Sequence, residues 1–143
     1  MKICITTRFR GAENKGDIVS LSAAVRAAGL EDFSFIRDIE NYQKTFDDPK
    51  ALWQRTREEI KKCDALLIDV SDQPSGGRVI EAGIAFALDM PIVVLVKEGL
   101  HYKDIYNGIG TCIIRYNTYE DITKGLTDFL GGDLSFRAAN IEI

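Results

Sequence analysis

Apolar residues gather in five short runs, at 2–7, 33–36, 65–70, 91–96 and 112–115, and between these runs they recur at helical spacing over 17–28, 49–62, 78–89 and 119–130. Strand-length runs alternating with helix-length periodic segments mark βαβ units around a mostly parallel sheet. The third run, Ala65-Leu66-Leu67-Ile68-Asp69-Val70, and the fourth, with Ile92-Val93-Val94-Leu95-Val96, are apolar at nearly every position. Strands covered by helices on both faces need that composition, which puts these two at the centre of the sheet. Gly29 and the pair Gly131-Gly132 stop the first and last helices, and Pro49 stands at a first-turn position of the second.

This order predicts an α/β domain of three layers, flavodoxin-like or Rossmann-like. Five mostly parallel strands in the order 2-1-3-4-5 would carry helices on both faces through right-handed crossovers. A chain of 143 residues, 45% hydrophobic, is the size of one domain with a real core, so 1–143 is expected to fold as a single unit. Residues 131–143 read as a C-terminal tail, and Ile141-Glu142-Ile143 could pair with a sheet edge or a second subunit. The connection 37–48 is polar and acidic, contains Tyr42 and Phe46, and is long enough for either a lid over the strand ends or an ordinary surface loop.

Charge narrows the partners. A formal net charge of −4 disfavours duplex nucleic acid and anionic membranes, both of which reward clustered Lys and Arg. No run approaches the ~20 apolar residues of a membrane span, and Met1-Lys2-Ile3 leads straight into a strand pattern, so a cytoplasmic location is expected. Cys4, Cys63 and Cys112 are odd in number and far apart, and they read as small buried hydrophobes, neither a disulfide framework nor a metal site. His101, the single histidine, lies in a polar segment with no second ligand in view.

Two patterns at the end of the third strand carry candidate chemistry. Ala65-Leu66-Leu67-Ile68-Asp69 followed by Pro74 looks like the phosphoacceptor region of a response-regulator receiver. Such a domain needs acids after strand one to hold a hard cation, where this chain has Thr6 and Thr7, and a Lys closing strand five, where it has Arg115-Tyr116-Asn117. The second pattern is Glu81, just inside a helix that follows a buried strand and a glycine-containing turn. Open α/β sheets hold ligands in that crevice, and free N–H groups at the helix start favour anions. The bland alternative is a first-turn acid stabilising the helix dipole by ~0.3–1 kcal/mol.

The run Ser75-Gly76-Gly77-Arg78-Val79-Ile80-Glu81-Ala82-Gly83-Ile84-Ala85-Phe86-Ala87, with the strand Pro91-Ile92-Val93-Val94-Leu95 after it, resembles the nucleoside 2-deoxyribosyltransferase family, and within it the 2'-deoxynucleoside 5'-phosphate N-hydrolases. The resemblance implies that Glu81 attacks the anomeric carbon, and that water or a second base resolves the glycosyl-enzyme. It implies a 5'-phosphate held by Ser75, by the backbone at Gly76 and Gly77, and by Arg10-Gly11, with Arg8 as a nearby substitute for Arg10. It also implies a metal-free, cofactor-free enzyme acting on a small nucleotide or nucleoside. A homodimer is expected, with Asn107 reaching the neighbour's site.

The chain departs from the family at two places. The strand-one tyrosine that orients the nucleophile is absent, leaving the hydroxyls of Thr6 or Thr7 for that task, and Thr56 stands where an aspartate is usual in the helix before strand three. Asp69 or the acids of 37–48 would then protonate the leaving base. Phe9 and Trp53 are either base-stacking or packing residues. Two rival readings keep the fold: a non-catalytic nucleotide-binding or sensing module, and an interaction protein.

Overall fold

The computed structural model describes residues 1–43 and 47–132 and the backbone of 141–142. In chain order the elements are β1 (Lys2–Thr6), α1 (Lys15–Ala27), β2 (Glu31–Ser34), α2 (Pro49–Lys61), β3 (Ala65–Asp69), α3 (Gly76–Ala87), β4 (Ile92–Lys97), α4 (Ile105–Ile109), β5 (Cys112–Tyr116), α5 (Tyr119–Gly131) and β6 (Ile141–Glu142). The first five strands are all parallel in the order β2-β1-β3-β4-β5, as the alternation predicts, and β6 adds two residues beside β5. Of the two partners expected for 141–143, Ile141 and Glu142 take this chain's own sheet edge, while Ile143 lies outside the described residues.

Period-two alternation divides the core into two layers. Ile3, Ile5, Leu67, Val93, Leu95 and Ile114 face α1 and α5, while Cys4, Leu66, Ile68, Ile92, Val94 and Ile113 face α2 and α3. Both faces of β3 and β4 are fully buried, which explains their unbroken apolar sequences. Gly29, with φ +89°, ends α1 in a left-handed conformation that a side chain would strain. Gly125 lets α5 settle onto β5, because a Cβ there would lie 2.8 Å from Ile114 Cγ2.

Three local expectations need correcting. The second strand ends at Ser34, so Phe35 and Ile36 do not extend it but open a π-helical turn, Phe35–Ile39. The cause is electrostatic. The Arg37 guanidinium reaches back to Asp32 at 2.9 Å and across to Asp38 at 2.6 Å, and the Asp38 carboxylate accepts the Ser34 N–H at 2.9 Å. Second, the sequence offers the small residues Gly83, Ala85 and Ala87 as those that let α3 lie close to the sheet, but of these only Ala85 is buried, alongside Ala82, while Gly83 and Ala87 are exposed. Third, Cys4 and Cys63 are joined by a disulfide across a Cα–Cα distance of 6.1 Å, whereas Cys112 is free and buried, its thiol pushed up to about 12 by burial and then by the charge of Asp128. Sequence distance concealed that pair: 59 residues separate the two cysteines, but β1 and the entry to β3 are neighbours.

Candidate functional site

The carboxyl end of β1 with the residues after it, the turn after β2 and the start of α3 enclose a cavity of about 320 Å³. Ser75 is the N-cap of α3, its hydroxyl accepting the Arg78 N–H at 3.5 Å, and Gly77 follows it into the cavity wall. The helix then turns Glu81 inward six residues beyond the cap, nearly two turns along, so it is not the first-turn acid of the bland alternative. Glu81 is only 7% exposed, yet it lines the cavity. Its carboxyl is hydrogen-bonded to Thr6, which supplies the hydroxyl expected from β1, and its Oε2 is buried with no hydrogen-bond partner. Burial pushes the Glu81 carboxyl up to about 8; the Thr6 hydrogen bond opposes that rise, the nearby Glu40 charge adds to it, and the Arg78 cation opposes it.

The connection 37–48 does reach this cavity. Glu40 and Gln43 line it, together with Phe35 and Ile36 from the start of the same connection. Asn41 and Tyr42 adopt left-handed backbone conformations, φ 48° and 58°, which reverse the chain beyond Glu40. Tyr42 packs on Phe9 with ring centroids 5.5 Å apart, and the Lys15 ammonium sits 4.3 Å from the Tyr42 ring centre. Phe46, part of the expected lid, lies outside the described residues.

Asp69 is placed elsewhere. Residues of β3 alternate, so Asp69 shares the α1/α5 face with Leu67, while Glu81 sits on the α2/α3 face with Ile68. Its carboxylate accepts the Tyr116 hydroxyl at 2.6 Å and the Ser71 N–H at 2.9 Å. Proton delivery by Asp69 to a base beside Glu81 does not fit this position. Asp69 instead borders a second cavity, about 340 Å³, together with Arg10, Lys97, Asn117 and Tyr119. Burial and then Asp69 raise the Tyr116 hydroxyl well above the ordinary tyrosine range.

The remaining expected residues divide between the two cavities. Thr7 and Arg8 line both, Arg10 lines only the second, and Gly11, at φ +74°, opens the 3-10 turn Gly11–Glu13. The suggested substitute, Arg8, is thus closer to Glu81's surroundings than Arg10. Gly76 is exposed at the first turn of α3. Asn107 is exposed on α4, its Oδ1 accepting the Tyr102 hydroxyl at 2.8 Å, and it lines neither cavity. Phe9 lines the Glu81 cavity, whereas Trp53 packs its ring 3.9 Å from where a Gly77 Cβ would stand. Thr56 is buried and donates its hydroxyl to the Leu52 carbonyl at 2.9 Å, so it takes no part as an acid. Glu58 and Glu59 pair outward with Lys61 and Lys62.

Arg78 is the residue the sequence did not single out. It is buried, donating to the Asp69 carbonyl at 2.9 Å, the Asp72 carboxylate at 3.2 Å and the Gln73 carbonyl at 3.2 Å, with Nε unpartnered. These bonds pin the loop between β3 and α3, and Asp72 continues the chain of charge to Arg8 at 3.2 Å. Burial alone would raise the Asp72 carboxyl, but Arg78 and Arg8 together hold it below its ordinary value. An arginine that follows two glycines looks like a solvated turn residue, and only the folded loop shows what it holds. Among the described residues no three His, Cys, Asp or Glu side chains gather as a metal site, and no helix is long and apolar enough to cross a membrane.

No family model matches the chain, and no curated protein matches it. Solved structures do. A 2-deoxyribosyltransferase from the psychrotolerant bacterium Bacillus psychrosaccharolyticus superposes with a TM-score of 0.72 at 14% identity, covering 100% of both chains. BlsM superposes at 0.67 with 20% identity over 92% of this chain and 94% of its own. The CMP N-glycosidase BcmB of Clostridium botulinum superposes at 0.63 with 21% identity over 88% of this chain and 98% of its own. The chain therefore has the all-parallel, flavodoxin-like fold that a 2-deoxyribosyltransferase and a CMP N-glycosidase share.

Proposed function

We propose that this protein breaks or exchanges the N-glycosidic bond of a nucleoside 5'-monophosphate, with Glu81 as nucleophile. The observation that carries the reading is the Glu81 carboxyl itself: buried, held by Thr6 at one side, and unpartnered at Oε2 beside a cavity. A buried carboxyl without a partner is costly to stability, and such a residue at the mouth of an α/β crevice fits a reacting group better than a cap. In the reaction an oxygen of Glu81 bonds to the anomeric carbon as the C–N bond breaks and the base departs. Water, or a second base, then displaces Glu81.

The start of α3 suits the phosphate. The Ser75 hydroxyl, the Gly77 backbone and the Arg8 side chain all border the Glu81 cavity, and a helix N-terminus favours an anion. The fold likeness to enzymes of deoxynucleosides and CMP supports the substrate class, as analogy. A homodimer agrees with the outer side of α3, which exposes Val79, Ile80, Phe86 and, at its end, Leu88.

Incubation with a panel of ribo- and deoxyribonucleoside monophosphates, followed by chromatography for free base, tests the reading. Wild type should release base and Glu81→Gln should not. Equal release by both removes Glu81 from the chemistry, and thermal stabilisation by a nucleotide without release assigns the protein to binding instead.

A further inference from the structure

Resting on the glycosidic reading above, we propose that Glu40 is the acid–base partner of Glu81, giving a proton to the departing nucleobase and taking one from the water that resolves the glycosyl-enzyme. Glu40 and Glu81 line one cavity, Glu40 on the chain that follows β2 and Glu81 on α3, near enough for the Glu40 charge to act on the Glu81 carboxyl. A substrate in that cavity would meet both the nucleophile and a second carboxyl, and a pair of carboxyls is what glycosidic cleavage uses. The usual acid of this fold's helix before β3 is here Thr56, already bonded within its helix, and Asp69 faces the other side of the sheet.

Glu40 is placed by a fixed scaffold. The π-helical turn Phe35–Ile39 ends immediately before it, and Arg37 ties that turn to Asp32 and Asp38 while Arg55 donates to the Asp38 carbonyl at 3.1 Å. Asp32 is buried and also accepts Arg26 at 2.5 Å and the Ser22 hydroxyl, so the turn is anchored to α1 as well. π-turns inside or beside helices are costly and recur at functional sites. Within this framework the Glu40 carboxyl engages none of the charges that hold the turn. Burial is what raises it above the ordinary glutamate range, the direction that suits a proton donor. Among the described residues, the other charged groups around the pair are Arg78 on α3 and Arg8 after β1.

The protons balance. In the first step the proton that burial keeps on Glu81 in the free protein has passed to Glu40; from Glu40 it moves to a ring nitrogen of the base as the C–N electron pair goes to that base and the Glu81 carboxylate bonds the anomeric carbon. In the second, water bonds that carbon, the ester to Glu81 breaks, and the water proton returns to Glu40.

The test compares single-turnover base release by wild type and Glu40→Gln on two substrates: an ordinary purine nucleoside monophosphate, and its N7-methylated counterpart, whose base is already cationic and leaves without a proton. Glu40→Gln should slow release from the first by about 10²–10⁴-fold and from the second by less than about fivefold, the scale of a side chain that no longer transfers a proton in that step. Equal slowing on both substrates overturns the acid role while leaving the reaction itself intact. Absence of release by wild type from these two nucleotides and from every other monophosphate of the panel overturns the role together with the glycosidic reading.

Discussion

The two cavities at the carboxyl end of the sheet lie on opposite faces of β3, and each holds a carboxyl that the sequence marks as reactive. On the α1/α5 face, Asp69 has its oxygens engaged by the Tyr116 hydroxyl and the Ser71 N–H. On the α2/α3 face, Glu81 has Thr6 for one contact and nothing for Oε2. Similar volume, similar edge of the sheet and the same chemical group thus give two different outcomes. Partnership, more than location, separates the satisfied carboxylate from the one left with an open oxygen.

That contrast can be broken by substitution. The largest effect expected is on base release: Glu81→Gln should lower it by on the order of 10³-fold or more, the scale of losing a reacting group, whereas Asp69→Ala should stay within about fivefold because it sits across the sheet. Next, Arg37→Met should cost about 3 kcal/mol in chemical denaturation, since it strips a cation from the buried Asp32. Burial alone would raise the Asp32 carboxyl, but Ser22, Arg26 and Arg37 together hold it below the usual range, so its contribution is present at neutral pH and is lost as the solution is acidified through that depressed value.

Glu81 should show the opposite pH dependence. Its carboxyl binds a proton more tightly in the folded protein, at about 8, than the ordinary value of 4.5 allows, so its favourable contribution is complete below 4.5 and disappears as pH rises to about 8. Glu81→Gln should therefore become steadily more stable than wild type across that interval, by on the order of a few kcal/mol at its end, read as the difference in denaturation midpoints at a series of pH values. A gap that stays constant with pH would contradict the buried, weakly partnered state of the carboxyl. The smallest effect is Asp69→Ala on stability, about 1–3 kcal/mol for a buried hydroxyl deprived of its acceptor; Tyr116→Phe made together with it should recover part of the loss.

Much of the fold was legible because β3 and β4 are long enough and apolar enough to admit no alternative, and because Gly29 and Pro49 fix helix ends by backbone conformation. Strand two was misjudged at its end because Phe35 and Ile36 are as apolar as strand residues, and the turn they enter is dictated by Arg37, Asp32 and Asp38, a contact no periodicity contains. Glu81 was legible from its motif. The orientation of Asp69 followed from parity with Leu67, but parity does not say which face α3 covers when both faces are apolar. Glu40 was visible only as one of several acids in a connection, since a π-helical turn and two left-handed residues, Asn41 and Tyr42, decide where it points.

The Cys4–Cys63 bridge lies on the same strand and the same face as Thr6, one pleat below it. By closing a loop across 59 residues of sequence it contributes about 4 kcal/mol in the chain-entropy picture, so the durability of the fold that carries Thr6 is tied to the thiol redox state of its surroundings, and a reductant should lower the melting temperature without touching a single residue of the cavity.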